Sequence, residues 1–304
     1  METLEELFRY EPYKTFRNRF NVYSIKVVSD TYKNTLDMTQ VWEYSSKIGN
    51  SDGAFGNILL RRLASPAPEE TSFCTWFSAT QQFVIKMNHT ISSECVLFHE
   101  FNHGMGKVAD EYYPWTDEVI PIPEEVKEEI LYAHQQGYYM NIDITDDPET
   151  VVWSRLLKDE RFANEGLMLY VDNPDMYPKK EGLDIFEGGH HDYTHGVYRP
   201  SYYSVMNDNH SGVWHEWLNA PCREAIYKWV MTLSEGPDWV YDYETFVSFD
   251  QAYRDLVRAS IWTVPQNSPE ITKTTSQKHI SPIWGGKSLK EASFQSLQLS
   301  EINR

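Results

Sequence analysis

Short runs of alternating apolar and polar residues occupy the first part of the chain, and helical spacing becomes more frequent further on. Residues 19–28, RFNVYSIKVV, alternate in part and are rich in β-branched and aromatic side chains, which predicts a strand. SDGAFGN at 51–57 has turn chemistry, and ILLRRL after it suits either a short helix or a strand. QQFVIKMN at 81–88 predicts a second strand. A helix is then expected from about Ser92 to Gly104 or Gly106, capped by Ser92 or Ser93, with the glycines providing the exit.

A Pro-punctuated linker from Pro114 leads into a further helix with Pro123 near its first turn. Residues 153–157 suit a short helical segment, and 171–200, crowded with Gly, Pro, Asp and His, suit irregular structure. NAPCREAIYKWVMTLS at 219–234 predicts a helix capped by Asn219, with Pro221 in its first turn and Ile226, Trp229 and Val230 on one face. After about Pro265 the chain becomes rich in Ser, Thr and Lys. The expected organisation is one catalytic domain over 1–265 and a peripheral extension over 266–304.

Composition narrows the function. Of 304 residues, 45 are acidic and 27 are Lys or Arg, a formal charge of −18 that repels nucleic acid and anionic lipid. No run of apolar residues is long enough to span a membrane. Three cysteines, Cys74, Cys95 and Cys222, cannot pair completely and have no redox or metal spacing, so buried thiols are expected.

The chemistry concentrates in HEFNH, residues 99–103. On a helix, His99 and His103 share a face and can reach one ion, while Glu100 stands beside them to act on a water. Zn2+ held there would acidify that water and polarise a carbonyl, with Glu100 as general base. Two histidines one turn apart also occur on ordinary solvated faces, so the neighbours decide. Gly106 permits a sharp departure from the helix, after which Asp110 and Glu111 are the nearest carboxylates. Asp110 is the preferred third ligand, leaving Glu111 to pack, bond to a ligand or pin the loop. Glu111 itself, Glu124, Glu125, Glu128, His190, His191 and His195 are the other candidates.

HEFNHGMGKVADEYY resembles the signature of the bacterial IgA-peptidase family of zinc endopeptidases. The resemblance recurs at FNVYSIKVVSD from Phe20, GVYRPSYYSVM from Gly196 and LNAPCREAI from Leu218, so it covers at least residues 20–227. It implies an α/β, metzincin-like fold, with a mixed twisted sheet over the active-site helix and a methionine turn beneath the metal. His99 and His103 then match the histidine ligands, Glu100 the base, Asp110 the family's aspartate and Met206 the turn. The third ligand of the common metzincin pattern would fall at Ala109, one residue short of Asp110. The resemblance also implies a secreted or cell-surface protein that cleaves internal peptide bonds of protein or peptide substrates, and says nothing of oligomeric state. It suggests a tyrosine near the turn as oxyanion donor. Tyr203 takes that role here, with Tyr198 and Tyr202 as alternatives, while Tyr112 and Tyr113 pack the ligand loop.

Other signals are weaker. GGHHDYTHG at 188–196 suits a second metal site, a cleft rim or a polar loop, and DNPDMYPKKEGLD at 172–184 lacks EF-hand spacing. Arg199 is expected to pair with a carboxylate of the chain or of a substrate. Two other classes fit the composition: an amide or ester metallohydrolase with a short closed pocket, and a non-catalytic glycan- or protein-binding module using the 10 tryptophans and 20 tyrosines.

Overall fold

The computed structural model describes residues 7–25, 41, 43–45, 56–60, 72–77, 82–87, 94–114, 116–162, 183–202, 204–207 and 218–261. These form a mixed α/β architecture with two small sheets. β1 (Gly56–Leu60), β2 (Phe73–Phe77) and β3 (Gln82–Met87) make a three-stranded sheet in the order β1-β3-β2. β1 runs parallel to β3 and β2 antiparallel to it. The second sheet is the hairpin of β4 (Phe186–Gly189) and β5 (Tyr193–Arg199). The described helices include α1 (Glu94–Gly106), α2 (Glu124–Gln135), α3 (Ser154–Leu157), α4 (Ala220–Glu235) and α5 (Tyr243–Ile261).

α1 lies between the three-stranded sheet and α4, and its residues 96–106 are all buried. The apolar Leu97, Phe98, Phe101 and Met105 explain why. Phe98 stacks on Tyr10 with ring centroids 4.6 Å apart, and Phe101 meets Tyr13 at 4.9 Å and Phe83 at 5.6 Å. The N-terminal segment thus covers one side of the helix, and the Tyr13 hydroxyl fastens it by donating to Asn102 Oδ1 at 2.8 Å. β3 is buried along nearly its whole length, as a central strand with cover on both faces should be.

The expected strand at 19–28 is not found in its described part. Residues 17–19 form a 3-10 turn and 20–25 have no regular secondary structure, while 26–28 lie outside the described residues. A strand needs a ladder partner, and among the described residues none pairs with this segment. Phe20 instead packs on Phe8, Tyr13 and Phe101, while Val22, Tyr23 and Ile25 are exposed. Of ILLRRL, residues 58–60 form the end of β1 and 61–63 lie outside the described residues, and the irregular 171–200 stretch contains the β4–β5 hairpin. Ser92, Ser93, the 172–182 part of the Asp-rich loop and the 266–304 extension lie outside the described residues. Cys74 and Cys222 are buried thiols outside any disulfide, and the side chain of Cys95 lies outside the described residues. No helix among the described residues is long and apolar enough to cross a membrane.

The Asn219 cap is present: its side chain accepts from Cys222 N, and Pro221 sits in the first turn of α4. Gly106 has a different purpose from the one its position suggests. The chain leaves α1 through Lys107, whose φ is 54°, and Gly106 is not among the left-handed residues. A Cβ at Gly106 would instead lie 2.7 Å from Ile226 Cγ1, so glycine is what lets α1 and α4 approach. Lys107 tolerates its conformation because its buried ammonium donates to Gly104 O and lies 4.1 Å from the Trp76 ring centroid. Burial holds its pKa well below the usual lysine value.

Candidate metal centre

Three segments meet at the buried polar residues of α1. α1 supplies His99 and His103, the 107–112 segment supplies Asp110, and the 204–206 turn closes over them. His99 Nδ1 donates to Val205 O at 2.8 Å and His103 Nδ1 to Val108 O at 2.8 Å. A carbonyl can only accept, so each imidazole carries its proton on Nδ1 and presents an Nε2 lone pair inward. Those lone pairs converge. The two Nε2 atoms are 3.0 Å apart, and Asp110 Oδ1 lies 3.1 Å from His99 Nε2 and 3.2 Å from that of His103.

Three acceptors this close repel one another unless a proton or a cation lies among them. Without a cation the proton takes that place: burial pulls the His99 imidazole down, but Asp110, bonded to it, lifts it to about 9, aided by Glu100 and Val205 O. The spacing also fits a metal. Ligand atoms about 2.0–2.1 Å from a tetrahedral ion stand about 3.3–3.4 Å from one another, close to the separations found. Two imidazoles, one carboxylate and second-nitrogen bonds to carbonyls form a donor set suited to a divalent ion. All three residues are buried, and theirs is the one such group among the described residues.

The choice between Asp110 and Glu111 is made by backbone geometry. Residues 110–112 run extended between two partners. Glu111 N donates to Met206 O at 2.8 Å on one edge; Asp110 O and Tyr112 O accept from His190 N and His191 N, each at 3.0 Å, on the other. Side chains of an extended segment alternate between faces. Asp110 therefore faces the histidines, and Glu111 points away to accept from Asn141, Ser204 and Asn219. Asn141 also clasps Ala109, accepting from its N–H at 2.8 Å and donating to its carbonyl at 2.9 Å.

Glu100 is fully buried next to His99 on the helix and adds to the field that raises it. Met206 is fully buried in the turn tied to Glu111. Tyr203 lies outside the described residues. Tyr202 packs on Phe186, and Tyr198 exchanges backbone bonds with Asp143. Tyr112 is buried, with its ring 5.1 Å from that of His191.

The histidine-rich 188–196 stretch does not join the cluster. It forms the β4–β5 turn, with His190 and His191 at φ 51° and 71°, and serves the centre through backbone N–H groups. His190 packs between Tyr139 and Tyr193, and burial lowers its pKa to about 4. His191 pairs with Asp192, and His195 meets Thr194 Oγ1. Glu124, Glu125 and Glu128 belong to α2 and also stand outside the cluster. For Arg199, no ion pair with a carboxylate is seen among the described residues. Its guanidinium donates to Glu187 O and Gly188 O and lies 4.7 Å from the Tyr113 ring centroid.

Asn141, Ser204 and the second role of Asn219 went unread in the sequence. Asparagine and serine outside a motif carry no signal of what a distant carboxylate will need. Comparison with known proteins adds no assignment: no protein-family model matches the chain, and no curated protein matches it significantly.

Proposed function

We propose that the chain is a zinc-dependent endopeptidase of metzincin-like type, in keeping with its resemblance to the bacterial IgA peptidases. The observation that carries this reading is the convergence of His99 Nε2, His103 Nε2 and Asp110 Oδ1 within 3.2 Å of one another. Both outer ring nitrogens donate to backbone carbonyls, which turns the inner ones toward the shared centre where an ion would be held. A bound zinc ion would supply Lewis acidity, polarising a carbonyl and lowering the pKa of water.

The chain's own residues supply the rest. His99, His103 and Asp110 would hold the ion with three protein ligands, the number typical of hydrolytic rather than structural sites. Glu100, adjacent to His99 and shielded from bulk solvent, takes the proton from the attacking water and returns one to the departing amine. The buried 204–206 turn and the Ala109–Asn141 clasp hold the ligands in place before substrate arrives, so little reorganisation is left for the reaction.

The test uses the zinc-loaded protein on a mixed peptide library read by mass spectrometry, with metal content measured in parallel. Glu100→Gln should keep zinc and lose cleavage by 10²-fold or more, roughly what general-base catalysis contributes. His99→Ala should lose the metal as well. A Glu100→Gln variant that cleaves as fast as the parent would refute the mechanism. Hydrolysis confined to small amides or esters would reassign the substrate while keeping the site.

A further inference from the structure

Glu111 follows Asp110 in sequence and is held by donors from three parts of the chain. Its Oε1 accepts from Asn141 Nδ2 at 2.9 Å, Asn219 Nδ2 at 2.8 Å and Cys222 Sγ at 3.4 Å. Its Oε2 accepts from Ser204 Oγ at 2.6 Å and Asn219 Nδ2 at 3.0 Å. The donors come from the turn after α2, from the turn that holds Met206 and from the first turn of α4. Every one is aimed at an acceptor, a demand that two carboxylate oxygens meet and an amide, half donor, does not.

The same residue grips the 204–206 turn through its backbone. Glu111 N donates to Met206 O, and Met206 N donates at 3.1 Å to the Ser204 hydroxyl that itself donates to Glu111. Val205, enclosed by these bonds, provides the carbonyl that orients His99. Two of the three metal ligands therefore depend on Glu111. Asp110 is aimed because its neighbour is anchored on the opposite face, and His99 is aimed because the turn is held.

Asn219 is the partner that extends this dependence to a helix. Its Oδ1 caps α4 by accepting from Cys222 N at 3.1 Å. Its Nδ2 donates to Glu111 and, at 2.9 Å, to Ser201 Oγ. We propose that Glu111 and Asn219 form a positioning pair that sets the zinc affinity of the His99–His103–Asp110 centre and couples metal binding to the seating of α4. This rests on the centre being a zinc site and adds residues that touch neither metal nor substrate. The physical reason is freedom: the 110–111 peptide keeps its backbone bonds, but with the Glu111 side chain released the 204–206 turn and the start of α4 lose an anchor, and ordering them again opposes each binding event.

The two roles of Asn219 can be separated. Serine caps a helix about as well as asparagine but is too short to reach Glu111. In the full 304-residue chain, Asn219→Ser should therefore leave metal-free near-UV circular dichroism unchanged. Zinc affinity, read by competition with a chromophoric chelator, should fall roughly 10- to 100-fold, the usual range for partners of metal ligands. Glu111→Gln should weaken zinc similarly, and the double variant should be little worse than either single one. The visible spectrum of the cobalt-loaded protein should shift in each, a change that a helix cap alone would not cause.

A folded Asn219→Ser variant with the parent's zinc affinity and cobalt spectrum would overturn the proposal. Should that variant fail to fold, Ser204→Ala removes one bond to Glu111 and carries the same expectation and the same refutation. A parent that binds no zinc would remove the proposed function and this pair together. A parent that binds zinc, beside variants that match it, would remove the pair alone.

Discussion

Gly104, between His103 and Met105 on α1, has no room for a side chain. A Cβ there would lie 2.6 Å from Cγ of Phe83, a ring that is 1 % exposed. The ring cannot retreat, because a Cβ at Gly56 on β1 would lie 2.7 Å from its Cε2. Phe83 thus fills the space two glycines leave empty. Overpacking of a tight core costs about 1–3 kcal/mol. Alanine recovers about 1 kcal/mol of that through its better helix preference. Gly104→Ala should therefore destabilise the metal-free protein by up to about 2 kcal/mol, the packing cost winning over the local gain. Urea unfolding in chelator should show a lower midpoint with an unchanged slope. In a Phe83→Leu background the clash is relieved and the same change should become neutral or favourable, giving a coupling of about 1–3 kcal/mol. Gly104→Ala as stable as the parent, or equally harmful in both backgrounds, would refute the packing argument.

Two further outcomes follow from the metal and the surface. Zinc at about 1,000 times its dissociation constant should stabilise the protein by about 4 kcal/mol, read as a rise in melting temperature. Asp110→Ala should abolish most of that rise, and an undiminished rise would place the third ligand elsewhere. At the surface, Arg161 hydrogen-bonded to Asp159 holds that carboxyl at about 2, below its ordinary 3.8. A depressed folded pKa means stability that is present above about pH 4 and lost as pH falls toward 2. Asp159→Asn should flatten that acid limb, so parent and variant should differ less in urea midpoint near pH 2 than at pH 5. A constant gap would remove the pairing as its cause.

Local signals carried much of the helical reading and less of the strand reading. The helix at 219–234 announced itself by cap, proline and apolar face, all of which act within a few residues, and α4 forms there. HExxH needs only helical spacing to bring its histidines together, and α1 provides it. A strand is different because its stability depends on a neighbour elsewhere in the chain. The 82–87 stretch has two such neighbours; residues 20–25 have the same pattern and no described ladder partner. Gly106 shows a related limit. Its presence at the end of α1 was legible, but the reason, contact with Ile226 120 residues away, belongs to tertiary packing.

The centre repeats that division between local and distant causes. Spacing left Asp110 and Glu111 one residue apart and chemically alike, and no count along the chain can decide between them. The decision comes from an extended backbone held on both edges, by Met206 on one side and by His190 and His191 on the other. Once that geometry is imposed, alternation sends one carboxylate to the histidines and the other to Asn141, Ser204 and Asn219. The histidines of the 188–196 stretch, conspicuous as side chains, take part through their amides, which any residue but proline could offer. What makes this particular stretch suitable is its pair of left-handed residues at the hairpin turn. The proposed metal centre is therefore written locally in its candidate ligands and distantly in whatever aims them, and replacing Asn219 tests the second part without touching the first.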